Sequence, residues 1–484
     1  MQRKYLFPFF LIVTASCAYA GDAQPVDCTQ LTAWLMGGVS SRRLIKITED
    51  RGFSFVPVDS SVRTLRAAGA DNPLIDSLQK GKPVEIASDT SCLPQLNQVA
   101  ELVHQKSYEK AERELRALSA ASQDYAALHF VLGSLLELQQ KWDDAFEEFT
   151  ESARLMPDFP ETHSRLSNLF FRSGDADNAI AEARTALSID PSNAEAYNSL
   201  GQGLSASGQY DAALHAFQES LQRLPDDPEV YYNIGGALRD KGDLAGAAVA
   251  YRQALRLKPQ YWEAHTNLGL VLHEQNKFDE AIAEYQEAKR LAPQEPAIRN
   301  NLGGTYCDKG DYDAALTEFR ELFRLNPTWS SGHNCMAKAL MAKHEYDAAI
   351  AELQLSVQAN PTGATEHRVL GQALLLTGKK AEAARELQIA VSLNPDSAPA
   401  HHYLGMAWGA LGNFTSALKE YREAVRLEPS AGNHYYLAAC LISTGDYDEA
   451  LSELETAARI DPAQSLYRAR KDELLKLMKT TDVR

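Results

Sequence analysis

The chain has 484 residues, of which 45% are apolar and 23% charged, a balance that is ordinary for a folded protein and excludes a mostly disordered chain. Its 65 acidic and 48 basic side chains give a net charge of -17 at pH 7. This acidic excess argues against nucleic acid as a partner, because nucleic-acid binding depends on Lys and Arg side chains that neutralise phosphates.

The first twenty residues (1–20) have the pattern of a cleaved secretory signal. Two basic residues precede an apolar run from Tyr5 to Val13, and the small residues Ala18 and Ala20 stand just before the expected cleavage point. A membrane-spanning helix needs about 20 apolar residues, and this run is shorter. The sequence therefore predicts an exported chain, periplasmic or secreted, with no integral membrane segment after cleavage. A lipoprotein anchored through Cys17 is the less favoured alternative.

Five cysteines follow the predicted signal, namely Cys28, Cys92, Cys307, Cys335 and Cys440. In an oxidising compartment a disulfide is expected, and an odd count leaves at least one thiol unpaired. Cys28 and Cys92 bracket the segment that precedes the repeats, so we predict that they pair. Two unpaired thiols at these positions remain the alternative.

Residues 21–91 are predicted to form a small helical module. Helices are expected at 31–36, at 42–49, from a cap at Asp59 to Gly69, and from Asn72 to Gly81, with an extended stretch at 53–57. The module resembles, in its GGVSS and RGFSF stretches, helical segments of exported bacterial repeat proteins. A helix-turn-helix that binds DNA is disfavoured, since the module carries 8 basic and 9 acidic side chains and follows a secretion signal.

The rest of the chain is a repeat array. Prolines stand 34 residues apart eight times in succession, and the last follows after 33, at Pro157, Pro191, Pro225, Pro259, Pro293, Pro327, Pro361, Pro395, Pro429 and Pro462. The length of the chain therefore measures the number of repeats and not the number of globular domains.

Each repeat is predicted to contain two packed helices. The residue twelve positions before the proline is alanine in all ten units, and the residue twenty-four positions before it is glycine in seven of them. Small side chains at these positions let two helices approach closely. Seventeen positions before the proline stand residues that predict the end of the first helix, namely Gly174, Gly208, Gly242, Gly310, Gly378, Gly412 and Gly445, with Gln140, Asn276 and His344 in the other units.

This pattern resembles the tetratricopeptide repeat (TPR) family. Ten units span residues 126–464, a degenerate unit spans 92–125, and residues 465–484 are predicted to be a capping helix and tail. The resemblance implies an all-α fold, a right-handed α-solenoid of about eleven helical hairpins. It also implies that the first helices line a concave groove that receives a protein or peptide partner.

Three successive repeats carry asparagine twenty-six positions before the proline, at Asn233, Asn267 and Asn301. Each amide can bond both the N–H and the C=O of an extended backbone, so we predict that these side chains bind a partner polypeptide. They resemble the asparagine ladder of protein O-linked N-acetylglucosamine transferases, whose catalytic region has no counterpart here. An incidental polar surface is the alternative.

Four successive repeats, two of which also carry an asparagine of this series, have glutamate four residues after the proline, at Glu161, Glu195, Glu229 and Glu263. This acidic row favours a basic or amide-rich partner segment, because complementary charge steers association. The alternative is that acidic residues only keep the protein soluble.

Histidine is the residue most suggestive of chemistry, yet its positions follow the repeat. Seven histidines stand twenty-eight residues before a proline, which favours a role in packing: His129, His163, His265, His333, His367, His401 and His434. Zinc-type cysteine pairs, H-E-x-x-H and phosphate-loop motifs do not occur. We therefore predict a protein that is not an enzyme, with no catalytic residue, no cofactor and no metal.

The favoured function is a protein-protein interaction scaffold that holds an extended polypeptide in the groove of the repeats. The alternative is a cell-envelope assembly factor, in pilus, secretion or polysaccharide export machinery, that acts through its convex face and its N-terminal module. The sequence leaves the oligomeric state open.

Overall fold

The computed structural model describes residues 24–84, 92–122, 125–327, 329 and 331–481, so the predicted signal at 1–20 and Cys17 lie outside the described residues. The fold is all-α, as predicted, with 27 helices in the described residues and one isolated parallel bridge between Val26 and Phe53. Within the same ranges, no helix is both long enough and apolar enough to span a bilayer.

The chain divides into two compact units. The first ends at Lys241 and contains α1 (Cys28–Met36), α2 (Ser41–Arg51), α3 (Asp59–Ala67), α4 (Asn72–Lys80), α5 (Pro94–His104), α6 (Tyr108–Ala121), α7 (Ala126–Leu138), α8 (Trp142–Leu155), α9 (Pro160–Ser173), α10 (Ala176–Ile189), α11 (Ala194–Ala206), α12 (Tyr210–Arg223) and α13 (Pro228–Lys241). From α5 onward, consecutive helices pack as hairpins that stack on their neighbours.

The second unit begins at Gly242 and, from α15 onward, is also built of helical hairpins. It contains α14 (Leu244–Leu257), α15 (Trp262–Glu274), α16 (Phe278–Leu291), α17 (Pro296–Lys309), α18 (Tyr312–Leu325), α19 (Ser331–Ala342), α20 (Tyr346–Ala359), α21 (Ala364–Leu376), α22 (Lys380–Leu393), α23 (Ala398–Ala410), α24 (Phe414–Leu427), α25 (Ala431–Thr444), α26 (Tyr447–Ile460) and α27 (Ser465–Thr481). Each repeat therefore supplies a first helix and a second helix, as its sequence pattern predicts.

The turn inside each hairpin requires a left-handed backbone residue. All ten positions predicted to end a first helix have a positive φ, including the non-glycine residues Gln140, Asn276 and His344. Glycine adopts this conformation without steric cost, whereas other residues pay for it in strain, which explains why glycine fills seven of the ten positions.

The small residue in each first helix makes room for a large one in the second. A Cβ atom added at Gly201 would lie 2.4 Å from the ring of Phe217, well inside van der Waals contact. The same opposition recurs in further repeats, at Gly133 and Phe149, Gly269 and Tyr285, Gly303 and Phe319, Gly371 and Leu387, and Gly405 and Tyr421. These pairs fix how closely the two helices of a hairpin approach.

The N-terminal module (α1–α4) has the four predicted helices, with one correction. Asp59 was predicted to cap α3, but α3 begins at Asp59, and the capping position is Val58, which makes no side-chain hydrogen bond to the helix. Asp59 instead places its negative charge in the first turn, where the helix dipole favours it.

Candidate functional site

Several first helices of successive hairpins contact one another within each unit, and the surface made by the first helices is here called the first-helix face. In the first unit it comprises α7, α9, α11 and α13, and in the second α15, α17, α19, α21, α23 and α25. Direct contacts join α9 with α11 and α11 with α13, and likewise α15 with α17 and α17 with α19. This face carries the residues predicted to bind a partner.

The three predicted ladder residues lie on first helices and are half-buried. Asn233 belongs to α13 of the first unit, whereas Asn267 and Asn301 belong to α15 and α17 of the second. The Nδ2 of Asn233 donates a hydrogen bond to Oδ1 of Asn198 on α11, at 3.0 Å. The amide of Asn233 therefore already bonds a side chain of the preceding first helix.

A similar bond occurs one repeat earlier. Ser199 stands in α11 at the register that Asn233 has in α13, and its Oγ donates to Oδ1 of Asn168 on α9, at 2.9 Å. In the second unit, Nδ2 of Asn300 lies 3.5 Å from Oδ1 of Asn301. In the first unit, polar side chains thus link α9 with α11 and α11 with α13. The sequence register predicted the position of Asn233 but not these bonds.

The acidic row is partly neutralised by the chain itself. Glu161 on α9 is only 3% exposed and forms an ion pair with Arg43 of α2, which also pairs with Asp190. Glu195 on α11 lies 3.6 Å from the guanidinium of Arg165. Glu161 and Glu195 therefore have cationic partners within the chain, which reduces the negative charge that they offer to a basic partner.

Burial shifts the pKa of two carboxyl groups on the first-helix face, those of Glu161 and Glu137. Burial raises the pKa of Glu161 above its ordinary value, although the charge and hydrogen bond of Arg43 oppose the rise. Burial likewise raises the pKa of Glu137, against the charge of Arg165. The pKa of Arg165 is itself raised, chiefly by the charge of Glu195, so this side chain is a permanent cation on the face.

The N-terminal module covers part of this face. The Trp34 ring of α1 stacks on Phe159, with ring centroids 4.5 Å apart, and Phe159 packs edge-on against Phe130 of α7. A Cβ atom on Gly37 would lie 2.5 Å from the Phe130 ring, so only glycine permits this approach. The module and the first repeats thus share one hydrophobic core, which sequence reasoning did not predict.

Buried side chains of the module stabilise its attachment to the first repeats. Trp34 and Leu31 are almost fully buried, and each such side chain contributes about 1.5–3 kcal/mol when removed from water. Arg165 adds a hydrogen bond from Nη2 to the carbonyl of Gly37, at 3.4 Å. The module is therefore an integral part of the first unit.

A disulfide joins the module to the first hairpin. Cys28 at the start of α1 is bonded to Cys92, with Cα atoms 4.9 Å apart, and Cys92 stands just before α5. The other described cysteines, Cys307, Cys335 and Cys440, are free thiols that are half-buried or buried. Burial raises the pKa of all three thiols, to about 12 for Cys307, so they are protonated and unreactive at neutral pH.

The repeated histidines join the two helices of their hairpins. The Nδ1 of each donates to the carboxylate of a glutamate nineteen residues later, over 2.5–2.7 Å, in the pairs His129–Glu148, His163–Glu182, His265–Glu284, His333–Glu352, His367–Glu386, His401–Glu420 and His434–Glu453. In four of these pairs the histidine Nε2 also lies 2.9–3.1 Å from the carbonyl oxygen of the repeat proline six residues before the histidine. This arrangement supports the structural role predicted for them.

The contacts with glutamate raise the pKa of two of these histidines, His163 and His265. Burial alone would lower the pKa of His163, but the hydrogen bond and charge of Glu182 outweigh it and raise the pKa. The same balance raises the pKa of His265 beside Glu284. Within the described ranges, His, Cys, Asp and Glu side chains do not gather in groups of three or more that could hold a metal ion.

Repeat-family models match most of the sequence. Models described as "TPR repeat" and "Tetratricopeptide repeat" match residues 97–160, 170–232, 235–276, 271–306, 297–326, 336–399 and 404–465. These matches together cover well over half of the chain and include the hairpin α5–α6. No curated protein matches the sequence.

Several solved structures are similar. PilF of Pseudomonas aeruginosa shares 22% identity at a TM-score of 0.40, over 45% of this chain and 98% of that protein. Yeast Tom70 shares 15% identity at a TM-score of 0.38, over 80% of this chain and 94% of that protein. A tetratricopeptide repeat protein of Parabacteroides merdae shares 20% identity at 0.40, over 52% and 98%. At such identities and TM-scores these similarities carry no inference about function.

Proposed function

The chain belongs to the tetratricopeptide repeat family, and on that premise we propose that it is a non-enzymatic scaffold which binds an extended segment of a partner polypeptide along its first-helix face. Stacked helical hairpins form a preformed surface, so binding costs little ordering of the scaffold itself. Asn233, Asn267 and Asn301 are the proposed contacts to the partner backbone.

One observation carries this proposal: the amide side chains stand at the same register on successive first helices. Asn267 and Asn301 lie on α15 and α17, which contact each other, so their amides occur at the spacing of neighbouring helices. The bond from Asn233 to Asn198 indicates that amides at this register are oriented for hydrogen bonding across the face. An extended strand that crosses the helices offers alternating N–H and C=O groups to such a series.

The test is a triple substitution with a matched control. Asn233→Ala, Asn267→Ala and Asn301→Ala together should weaken capture of the partner from envelope extract, because each removes a donor and an acceptor. The control changes amides of second helices, Gln218→Ala with Gln253→Ala, and should leave capture unchanged. Equal capture by the triple variant and the wild type would show that the groove hypothesis is wrong.

Export is part of the proposal. A disulfide between Cys28 and Cys92 supports it, since such bonds persist in the periplasm and outside the cell and are rare in the cytosol. Cell fractionation of the native organism tests this point. Recovery of the full-length chain in the cytosol, with both thiols free, would contradict it.

A role as an envelope assembly factor is the second candidate. The observation that bears on it is the shared core of the module and the first repeats, which offers an assembly partner a rigid surface made of both. Deleting 21–91 would uncover Phe130 and Phe159, so surface substitutions on α3 and α4 are the better test. Loss of envelope association with the first-helix face intact favours this candidate.

A further inference from the structure

Aromatic side chains gather at the C-terminal end of the first-helix face, in the second unit. The ring centroids of His402 on α23 and Tyr436 on α25 are 4.7 Å apart at an angle of 86°. The ring centroids of Tyr403 and His402 are 5.3 Å apart, and those of Tyr435 and Tyr436 are 5.4 Å apart. The ring of Tyr421 lies 6.0 Å from that of His402 and 6.3 Å from that of Tyr436. Tyr436 remains 37% exposed, so its ring is accessible from solvent.

These rings continue the register of the ladder. Tyr403 and Tyr436 stand twenty-six residues before Pro429 and Pro462, the position that Asn267 and Asn301 have in their own repeats. The register that presents amides on α15 and α17 therefore presents aromatic rings on α23 and α25. A partner that follows this register meets both kinds of side chain.

The hydrogen bonds of Asn433 fix the state of His402. Asn433 donates from Nδ2 to the carbonyl of Glu428, at 2.8 Å, so its Oδ1 faces the Nδ1 of His402, at 3.1 Å, and accepts a hydrogen bond from the Nδ1–H group. Burial lowers the pKa of His402, which keeps the ring neutral. Nε2 then carries a lone pair, and no described residue donates a hydrogen bond to it. The cluster thus presents an acceptor together with tyrosine rings.

Charge complementarity identifies the group that fits. The electron-rich faces of tyrosine rings attract cations, and the lone pair of Nε2 accepts from a cationic N–H group. The chain has a net charge of -17, and the negative charge of Glu428 acts on His402. Elsewhere the protein already places cations over aromatic rings, with Arg172 over Trp142 at 3.8 Å and Lys258 over Tyr261 at 4.3 Å.

We propose that His402, Tyr403 and Tyr436 form a subsite that binds a basic side chain, a guanidinium or an ammonium group, of the partner polypeptide. The proposal rests on the proposed scaffold function and adds to it the class of side chain that the partner carries at this end of the face. A cationic group enters over the exposed ring of Tyr436 and donates to Nε2 of His402.

The experiment measures binding of a fluorescein-labelled glycine peptide that carries arginines, and of the same peptide with neutral citrulline, to the mature chain at about 0.15 M salt. Salt screens diffuse attraction to an acidic protein, so the contrast between the two peptides reports local contacts. The variants are Tyr436→Ala and Tyr436→Phe, with thermal melting as the check that both are folded.

The expected result is that Tyr436→Ala weakens binding of the arginine peptide by about two- to fivefold, whereas Tyr436→Phe, which keeps a ring face, retains most of it. Binding of the citrulline peptide should not respond to either variant. Unchanged binding of the arginine peptide by folded Tyr436→Ala, or an equal loss with citrulline, would overturn the subsite.

The two proposals fail separately. If the triple asparagine variant loses the partner while Tyr436→Ala binds the arginine peptide as the wild type does, the scaffold function stands and the subsite is wrong. If the triple variant captures the partner normally and Tyr436→Ala still weakens the arginine peptide, the asparagine contacts are wrong and the subsite stands.

Discussion

Replacing Arg43 by methionine is expected to loosen the N-terminal module from α9, because it leaves the carboxylate of Glu161 buried without its cation. Arg43 pairs with both Glu161 and Asp190, and its own side chain is only 19% exposed. Lys46 lies 3.4 Å from Asp190 and remains beside that carboxylate in the variant. The substitution therefore affects Glu161 most.

The magnitude follows from burial. Removing one partner of a buried ion pair costs about 3–5 kcal/mol. Because Nδ2 of Asn193 still lies 3.5 Å from Glu161, we expect a loss near the lower end, about 3 kcal/mol. The matched control is Arg51→Met in the same helix, whose partner Asp158 is 57% exposed, so its loss should stay below about 1 kcal/mol.

The effect should depend on pH with a definite sign. Burial raises the pKa of Glu161 in the folded protein, and removing Arg43 takes away the charge that opposes this rise. A carboxyl group whose folded pKa is raised contributes stability that is present below its unfolded pKa, about 4.3, and is lost as the pH rises through the folded pKa. Arg43→Met should therefore be less destabilising at about pH 5 than at about pH 8.

Hydrogen exchange of peptides from α2 and α9 gives the local readout, and urea denaturation gives the free energy of unfolding. The double variant Arg43→Met with Glu161→Gln should recover much of the loss, since it removes the unpaired charge. The reasoning is refuted if the double variant is no more stable than Arg43→Met, or if Arg43→Met costs no more than Arg51→Met.

Three further predictions concern the repeats and the disulfide. Gly201→Ala should destabilise by about 1–3 kcal/mol through its clash with the facing ring, whereas Gly304→Ala, with open space around it, should stabilise by about 0.5–1 kcal/mol in urea denaturation. The pKa of His265 is raised in the folded protein, so its protonation stabilises the fold fully below the unfolded pKa, about 6.5, and this contribution is lost as the pH rises through the folded pKa. His265→Gln removes this contribution, so the melting temperature of the variant should fall less than that of the wild type between about pH 6 and 8. Alkylation followed by mass spectrometry should modify Cys28 and Cys92 only after reduction, and modification of both beforehand would contradict the pairing.

The repeat period made most of the fold predictable from the sequence. Positions constrained by local backbone geometry recur every 34 residues, so even Gln140, Asn276 and His344 were correctly placed at the turns. The partners of the histidines were missed, although a signal for them was present. A glutamate follows each of these histidines by nineteen residues, which is the distance between facing positions of the two helices.

The packing of the module was not predictable in the same way. Arg43 and Glu161 are 118 residues apart, and neither belongs to a motif that relates them. Glu161 looked like the first member of an acidic row open to a partner, because its register matches Glu195. Only the tertiary structure distinguishes a glutamate that is already paired within the chain from one that is exposed at the surface. The position of a residue in the repeat does not contain this information.

The first and the last of the described helices are secured unequally, and this affects which of them unfolds more readily. In a linear array each repeat is stabilised mainly by its neighbours, so terminal repeats fray first. At the N-terminal end, the disulfide at Cys28 and the ion pair at Glu161 connect the module to successive hairpins. At the other end, Leu474 is the one fully buried hydrophobic residue of α27 among its described side chains. Among the described helices, α27 should therefore lose structure more readily than α1–α4, so limited proteolysis should cut in α27 before it cuts in the module.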